Sequence, residues 1–346
     1  MNALVDDLVA IARTPAPTFA EEARLAWLEE RLEDSPGRRE RDEAGNLIWS
    51  WGDGAPRVVV AAHVDTVFPA DALLDIHEQN GHLVGPGVGD NAAAVAVAIH
   101  VVEELLGQGP LEAGAVAFTV GEEGLGNLRG ASELCRSLQP EAFIALEGHG
   151  LDEVLVDAVG STRARVDVSG PGGHSWEDRG TASAVHGLLG LAAEIAELGS
   201  DEAPVNIGTI GGGRSVNTIA DHAELLVERR ALEQGALDDF AAALGRLHLP
   251  APLVVGIEIV GRRPAGRLGR GAPLLHTVLE VRERLGLPLS LSEGSTDANA
   301  ALAAGIPALC LGVARGESMH ALHEWIDRSS LAEGATQLRE VLRALL

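Results

Sequence analysis

The sequence predicts an α/β protein with a mainly parallel central sheet, into which a smaller antiparallel α+β domain is inserted. The first observation is a set of short runs that are apolar throughout, which is typical of strands buried on both faces. These runs cover residues 58–63, 115–120, 142–146 and 308–311. The second observation is that helical stretches over 91–106 and 295–304 alternate with them, which is the α/β pattern. The third is a change of pattern between about residues 163 and 273.

The remaining elements follow along the chain. Residues 1–35 predict two helices separated at Pro15 and Pro17, because proline does not fit inside a helix. Within the inserted segment, polar and apolar residues alternate, which indicates strands with one solvated face. The order is the ferredoxin-like β-α-β-β-α-β layout, with strands near 163–168, 204–210, 221–230 and 253–260 and helices near 180–198 and 233–247. We therefore expect a larger domain formed by 1–162 and 274–346, and an inserted domain formed by 163–273.

The composition excludes several function classes. The 346 residues include 51 acidic residues and 26 basic ones, all arginine, for a net charge of −25. A chain without lysine cannot use a Schiff-base lysine or a phosphate-loop lysine, and a chain without tyrosine has no phenol to act as acid or base. The strong negative charge argues against nucleic acid and anionic membranes as partners. The hydrophobic content of 46% is too high for a disordered chain.

Cysteine usage and the N-terminal residues bear on the compartment. Cys135 and Cys310 are too few for a disulfide framework or a cysteine zinc site. The first seven residues include two acidic side chains and no basic one, so we expect no signal peptide. No segment approaches the roughly 20 apolar residues of a membrane helix. A cytoplasmic protein is therefore the expectation.

The polar residues that could carry chemistry lie at or soon after the ends of the predicted buried strands. They are His63, Asp65, Glu122, Glu123, Glu147 and His320. Ligands bind at the carboxyl ends of the strands in open parallel sheets. Histidine nitrogen and carboxylate oxygen are zinc ligands. The joint placement of these residues therefore indicates a divalent metal site.

Each motif also has a simpler interpretation. Asp90 follows several glycines and could cap a helix, or belong to a dinucleotide-binding loop, although the spacing is not G-x-G-x-x-G. Glu122 and Glu123 could lie in a solvated loop, and His174 could be a surface residue in a Gly-Gly-His-Ser turn. A rival nucleophile is hard to find, because there is no G-x-S-x-G elbow and neither cysteine has an obvious histidine partner.

Taken together, the motifs resemble the zinc-dependent amidohydrolase and peptidase family of acetylornithine deacetylase, succinyl-diaminopimelate desuccinylase, glutamate carboxypeptidase, aminoacylase and tripeptidase. The resemblance covers nearly the whole chain. The matching motifs are, in order, His63-Val64-Asp65-Thr66-Val67, Gly87-Val88-Gly89-Asp90, Gly121-Glu122-Glu123-Gly124, Gly172-Gly173-His174-Ser175, Gly294-Ser295-Thr296-Asp297-Ala298-Asn299 and His320-Ala321-Leu322-His323-Glu324.

The resemblance implies a zinc-binding catalytic domain that holds two Zn²⁺ ions per chain, with Co²⁺ or Mn²⁺ as replacements. His63 and Glu147 would hold one ion, Glu123 and His320 the other, and Asp90 would bridge them. The inserted domain would serve as a dimerisation or lid domain, so the resemblance also implies a homodimer.

The resemblance further implies roles in catalysis and substrate binding. Glu122 would be the general base for the water between the metals, Asp65 would orient His63, and His174 would help to stabilise the oxyanion. The implied substrate-binding residues are Asn217, Arg230, Thr296 and Asp297, with the adjacent Arg229 as an alternative to Arg230.

The implied reaction is hydrolysis of the amide bond of small peptides or N-acyl amino acids. Two signals conflict over the substrate. Glu147 is typical of deacylases and carboxypeptidases, whereas the residues around Glu122 and Asp297 are similar to those of the tripeptidase-like branch. An N-acyl amino acid deacylase is therefore the alternative to a peptidase, and a catalytically silent metal-binding assembly module is a distant one.

Overall fold

The computed structural model describes residues 2–346, which form two compact units. The larger unit contains residues 2–158 and 267–346, and the inserted unit is Val159–Gly266. Both boundaries lie a few residues earlier than the sequence predicts. The strand Gly160–Ser169 already belongs to the inserted unit. At the other boundary, the Leu268 N–H donates to the Val156 carbonyl within the larger unit.

Nine α-helices lie in the described residues. They are α1 (Asn2–Arg13), α2 (Glu22–Arg31), α3 (Ala94–Gln108), α4 (Arg129–Ser137), α5 (Ala184–Ala196), α6 (Gln234–Leu244), α7 (Pro273–Leu285), α8 (Ala298–Ala303) and α9 (Leu331–Leu345). The predicted break at Pro15 and Pro17 separates α1 from α2. Over residues 2–346, no helix is both long enough and apolar enough to cross a membrane.

The same residues form nineteen strands, several of them very short. They are β1 (Arg38–Arg41), β2 (Leu47–Trp51), β3 (Val58–His63), β4 (His77–Gln79), β5 (His82–Val84), β6 (Gly114–Thr119), β7 (Ala142–Glu147), β8 (Glu153–Ala158), β9 (Gly160–Ser169), β10 (Gly173–His174), β11 (Val205–Gly212), β12 (Thr218–Ile219), β13 (His222–Ala231), β14 (Val254–Arg263), β15 (Gly266–Arg267), β16 (Ser290–Gly294), β17 (Ala308–Gly312), β18 (Gly316–Glu317) and β19 (Trp325–Asp327).

The large sheet has the order β1-β2-β6-β3-β7-β17-β8-β15, and β16 also pairs with β8. The four strands predicted from apolar runs are its centre, and they pair in parallel as β6-β3-β7-β17. Alternate residues of β3 enter different cores, because Val58 and Val60 pack with α1, α3 and α9, whereas Val59 and Ala61 pack with α4 and α8. Burial on both faces is why these strands are apolar throughout. The predicted α/β class with a mainly parallel sheet is confirmed.

The inserted unit has a four-stranded antiparallel sheet in the order β11-β13-β9-β14. Helices α5 and α6 pack on one face of this sheet, against Val166 of β9 and Leu225 of β13. The other face carries ion pairs such as Arg163–Glu228. One solvated face explains the alternating sequence. The predicted β-α-β-β-α-β order is present, with the first and third of these strands central.

Helix α3 begins later than predicted. Val88–Ala93 forms one wide turn before it, and Asp90 in that turn has dihedral angles outside the helical region (φ −93°, ψ 91°). The peptide bond between Asp90 and Asn91 is cis. The residue that precedes α3 is Ala93, so Asp90 does not cap this helix, and its carboxylate faces His63 and His320 instead.

Candidate metal centre

The polar residues predicted at strand ends meet at one edge of the large sheet. His63 is the last residue of β3, Glu147 is the last residue of β7, and Glu122 and Glu123 follow β6 closely. Because β3 pairs in parallel with both β6 and β7, these three carboxyl ends are neighbours. This is the edge at which parallel sheets bind ligands.

His63 is buried, and both of its ring nitrogens have partners. Nδ1–H donates to the carbonyl oxygen of Asp65 at 3.1 Å. Nε2 lies 3.0 Å from Asp90 Oδ1 and 3.6 Å from Glu147 Oε2. The bond at Nδ1 fixes the ring orientation, so Nε2 is the nitrogen that is directed at the carboxylates.

Asp90 lies between two histidines. Its Oδ1 faces His63, and its Oδ2 lies 3.0 Å from His320 Nε2. The same His320 nitrogen lies 3.1 Å from Glu123 Oε1. His320 has a positive φ of 65°, which is uncommon for a residue other than glycine and occurs most often at functional sites.

These residues form two three-residue groups that share Asp90. One group is His63, Asp90 and Glu147, and the other is Asp90, Glu123 and His320. In each group, one potential ligand atom per residue lies within 4.8 Å of the others. The same criterion also joins His63, Glu122 and Glu123. Geometry alone therefore permits Glu122 to act either as a metal ligand or as a general base.

Asp65 holds the turn that carries the two adjacent glutamates. Its Oδ1 accepts the Glu122 N–H at 3.0 Å, and its Oδ2 accepts the Glu123 N–H at 2.9 Å and the Thr18 hydroxyl at 2.9 Å. Its carboxylate is also 3.6 Å from His63 Nδ1. Asp65 therefore contacts both the His63 segment and the Glu122–Glu123 turn.

The ionisation of these groups reflects a crowded set of buried carboxylates. Burial is the main cause that raises the pKa of Glu147 to about 7. Hydrogen bonding to Asp90 and then to Glu123 raises the pKa of His320 to about 10. Burial opposes protonation of His63, but Glu147 and the other carboxylates outweigh it and raise the His63 pKa well above its usual value. Protonation of His63 and His320 thus offsets part of the negative charge of the carboxylates.

The donor set fits divalent cations. Asp90, Glu122, Glu123 and Glu147 together carry the charge that two divalent cations would neutralise, and buried carboxylates need such a partner. Imidazole nitrogen with carboxylate oxygen is a donor combination that Zn²⁺ accepts, and Mn²⁺ or Co²⁺ accept it as well. His63 with Glu147 would hold one ion, Glu123 with His320 the other, and Asp90 both.

Three predicted site residues of the inserted unit lie at exposed positions, namely His174, Asn217 and Arg230. His174 pairs with Thr218 in the β10–β12 ladder, which places Asn217 next to it, and the Ser175 N–H donates to the Asn217 carbonyl at 3.0 Å. His174 Nδ1 accepts the backbone N–H groups of Trp176 and Glu177, both at 3.2 Å. A neutral His174 therefore carries its proton on Nε2, which suits a hydrogen-bond donor.

The two candidate arginines differ in their surroundings. Arg230 is exposed, and its Nε donates to Glu228 Oε1 at 2.9 Å. Arg229 lies with its guanidinium 5.8 Å from the ring centre of Phe240 on α6. Arg230 is thus on the solvated side, and Arg229 packs on the helical side.

Thr296 and Asp297 are buried rather than open to solvent. The Thr119 hydroxyl donates to Asp297 Oδ2 at 2.5 Å. The Thr296 hydroxyl accepts the Ala298 N–H at 3.2 Å at the start of α8. Their predicted role in substrate binding stays a prediction. The Asp297 bond joins the start of α8 to β6, whereas the Thr296 bond is local to the start of α8.

Sequence reasoning missed two residues beside the centre. The last motif assigns a role to His320 and none to Glu324, and no motif includes His149. In the structure, His149 Nε2–H donates to Glu324 Oε1 at 2.7 Å, and Glu324 is fully buried. The available signal was position, because His149 follows Glu147 by two residues and Glu324 follows His320 by four.

Comparisons with known proteins point to one family. Residues 59–344 match peptidase family M20/M25/M40. An acetylornithine deacetylase of Myxococcus xanthus is 29% identical over 262 residues, which cover 67% of each chain. The aminopeptidase PepT of Bacillus cereus ATCC 10987 has a similar solved structure, with a TM-score of 0.79, 23% identity, and 99% of this chain and 98% of that chain covered.

The match to a second curated relative is shorter. A Peptidase M20 domain-containing protein of Schizosaccharomyces pombe is 28% identical over 186 residues, which are 51% of this chain and 45% of that protein. The chain therefore spans about half the length of the first curated relatives it matches.

Proposed function

We propose that this chain, which belongs to peptidase family M20/M25/M40, is a metal-dependent hydrolase that uses two zinc ions to cleave the amide bond of small peptides or N-acyl amino acids. The observation that carries the proposal is the pair of ligand groups that share Asp90. A carboxylate between two histidines, with one further carboxylate beside each histidine, is a suitable arrangement for two neighbouring cations.

The proposed mechanism assigns each residue one task. When bound, two zinc ions would polarise the substrate carbonyl and activate a water at neutral pH. Glu122 takes the proton that the attacking water loses and passes it to the leaving amine. The Asp65 carboxylate accepts the backbone N–H of Glu122 and so holds Glu122 in place. His174 donates a hydrogen bond from Nε2 to the developing oxyanion, and Arg230 with Asn217 binds the substrate.

The substrate class has two candidates. Similarity to the aminopeptidase PepT structure along 99% of the chain supports a peptidase. The match to acetylornithine deacetylase supports an N-acyl amino acid deacylase as the second candidate. A hydrolysis panel with zinc present separates them, by comparing dipeptides and tripeptides that have a free N-terminus with N-acetyl and N-succinyl amino acids.

We also propose a homodimer through the inserted unit, and the cytoplasmic location stays a prediction.

The adjacent glutamates provide the decisive variants. We expect Glu122→Gln to lower kcat by about 10²-fold or more, because it removes a general base, while metal content equals that of the wild type. Glu123→Gln is the matched control at the next position, and it should lose metal because its Oε1 lies beside His320. Metal content is measured by atomic absorption after dialysis. Loss of metal in Glu122→Gln would make Glu122 a ligand and refute its role as the base.

A further inference from the structure

Glu324 is a fully buried carboxylate that the proposed mechanism does not use. Its Oε2 accepts the Gly87 N–H at 2.7 Å, and its Oε1 accepts the N–H groups of Gly89 at 3.0 Å and Asp90 at 2.8 Å. Its backbone carbonyl accepts the Gly85 N–H at 2.8 Å. One residue therefore binds four N–H groups of the Asp90 turn, by which we mean residues 85–90.

The same carboxylate also contacts a third segment. His149, two residues after Glu147, donates from Nε2 to Glu324 Oε1. Gly89 lies directly against the His149 ring and the Glu324 carboxylate. A Cβ atom at this position would collide with His149 Nε2 and lie 2.7 Å from Glu324 Oε1. A side chain at this position would therefore displace His149 or Glu324.

We propose that Glu324 is a positioning residue of the metal centre, which fixes the segments of Asp90, Glu147 and His320 relative to one another. This inference rests on the metal centre proposed above. Asp90 has to direct one oxygen at His63 and the other at His320, so a small rotation of its backbone would break one of these contacts. Hydrogen bonds from backbone N–H groups to an ionised, buried acceptor are among the strongest in proteins, which makes Glu324 suited to holding this turn.

The partners of Glu324 distinguish this role from general stabilisation. Three of the carboxylate bonds go to the Asp90 turn and the fourth goes to the segment that carries Glu147, while Glu324 itself lies four residues after His320. Each of the three segments carries at least one proposed ligand. Loss of the carboxylate should therefore change metal affinity and coordination, and not only the stability of the fold.

The test compares Glu324→Gln with the wild type in three measurements on the full chain. They are Zn²⁺ affinity by competition with a chromophoric chelator, the visible absorption spectrum of the Co²⁺ form, and the thermal midpoint of the metal-free protein. The new amide group would face backbone N–H groups and displace the Asp90 turn. We expect Zn²⁺ binding to weaken by about 10- to 100-fold and the Co²⁺ spectrum to change. Glu324→Asp keeps the negative charge on a shorter side chain, so its affinity for Zn²⁺ should lie between those of the wild type and Glu324→Gln.

The matched control is Glu103→Gln. Glu103 is a partly buried carboxylate of the same unit that accepts hydrogen bonds from Arg31 and Ser35, neither of which lies in a ligand segment. Zn²⁺ affinity and the Co²⁺ spectrum should stay at wild-type values in this variant, even where the midpoint falls.

Two results would overturn the inference. One is a folded Glu324→Gln protein with wild-type Zn²⁺ affinity and a wild-type Co²⁺ spectrum, whatever its thermal midpoint. If that variant does not fold, Glu324→Asp and His149→Gln take its place, and wild-type affinity in both refutes the role. A wild-type chain that takes up no divalent cation would instead refute the metal centre itself, and with it this role.

Discussion

Replacing Asp65 by asparagine should destabilise the metal-free protein by several kcal/mol at neutral pH. The side chain is fully buried and accepts three hydrogen bonds, from the backbone of Glu122, the backbone of Glu123 and the hydroxyl of Thr18. Asparagine has the same shape but only one acceptor oxygen. Whichever way the amide is oriented, its NH₂ group faces a backbone N–H that has lost its acceptor.

The magnitude follows from the bonds that are changed. A buried N–H left without a partner costs about 1–3 kcal/mol, and a bond to a charged acceptor is worth about 1 kcal/mol more than a neutral one. The Thr18 hydroxyl can rotate to accept from the new amide, so its contribution is small. The sum predicts that Asp65→Asn lowers the free energy of unfolding by about 2–4 kcal/mol.

The effect should depend on pH in a defined direction. Burial opposes ionisation of Asp65, but the nearby His63 imidazole and the two backbone N–H groups outweigh it and lower the Asp65 pKa. A group whose pKa is lower in the folded state stabilises the fold above its unfolded pKa, and this contribution is lost as the pH falls through the folded pKa. The difference between wild type and variant should be constant from pH 8 to pH 5 and shrink below about pH 4.

Urea unfolding of the chelator-treated protein measures this difference. Trp49 and Trp51 are buried in the large sheet, so tryptophan fluorescence reports on the larger unit. Thr18→Val is the control, because it removes only the hydroxyl bond and should cost about 1 kcal/mol. An Asp65→Asn protein within 0.5 kcal/mol of wild type, a difference of about the size expected for an ordinary surface change, would refute the reasoning.

Two further predictions concern the metal and the substrate. Chelation should abolish hydrolysis reversibly and lower the thermal midpoint by about 8 °C or more. One ion at a thousand times its Kd adds about 4 kcal/mol to the free energy of unfolding. An unchanged midpoint measured by calorimetry would contradict a structural contribution of the metal. Arg230→Ala should raise the KM for substrates with a free carboxylate and leave the unfolding midpoint close to wild type, whereas Arg229→Ala should lower the midpoint through its lost contact with Phe240. The opposite pattern in steady-state kinetics and urea unfolding would exchange the two roles.

The sequence predicts the centre of the fold well because burial determines its composition. Strands buried on both faces are apolar at every position, as in β3, and strands with one wet face alternate, as in β9. Strand β2 was missed although all five of its residues are buried, since its sequence Leu-Ile-Trp-Ser-Trp is short and contains a serine. The two-residue strands pair across loops, and no local pattern marks them.

The metal centre could also be predicted only in part from the sequence. Residues at strand ends could be placed together because parallel pairing brings their ends to one edge. The shape of the Asp90 turn could not be predicted, because the acceptor of its N–H groups is the carboxylate of Glu324, more than 230 residues away. Local signals favoured a helix beginning near residue 91, whereas the long-range bonds hold residues 85–90 in another conformation and the helix begins at Ala94.

A buried arginine beside the metal centre occupies a position to which lysine is poorly suited. Arg24 is fully buried, and it donates to the Val64 carbonyl at 2.8 Å, between His63 and Asp65, and to the Thr14 carbonyl at 2.9 and 3.2 Å. Burial lowers its pKa to about 10, while Asp65 and Asp90 oppose that change. A lysine has a lower ordinary pKa than arginine, so the same burial would bring its pKa closer to neutral pH. Arginine keeps its charge more readily at this depth, and its planar fork reaches both carbonyls at once. Arg24→Lys is therefore not a conservative change here, although it preserves the formal charge.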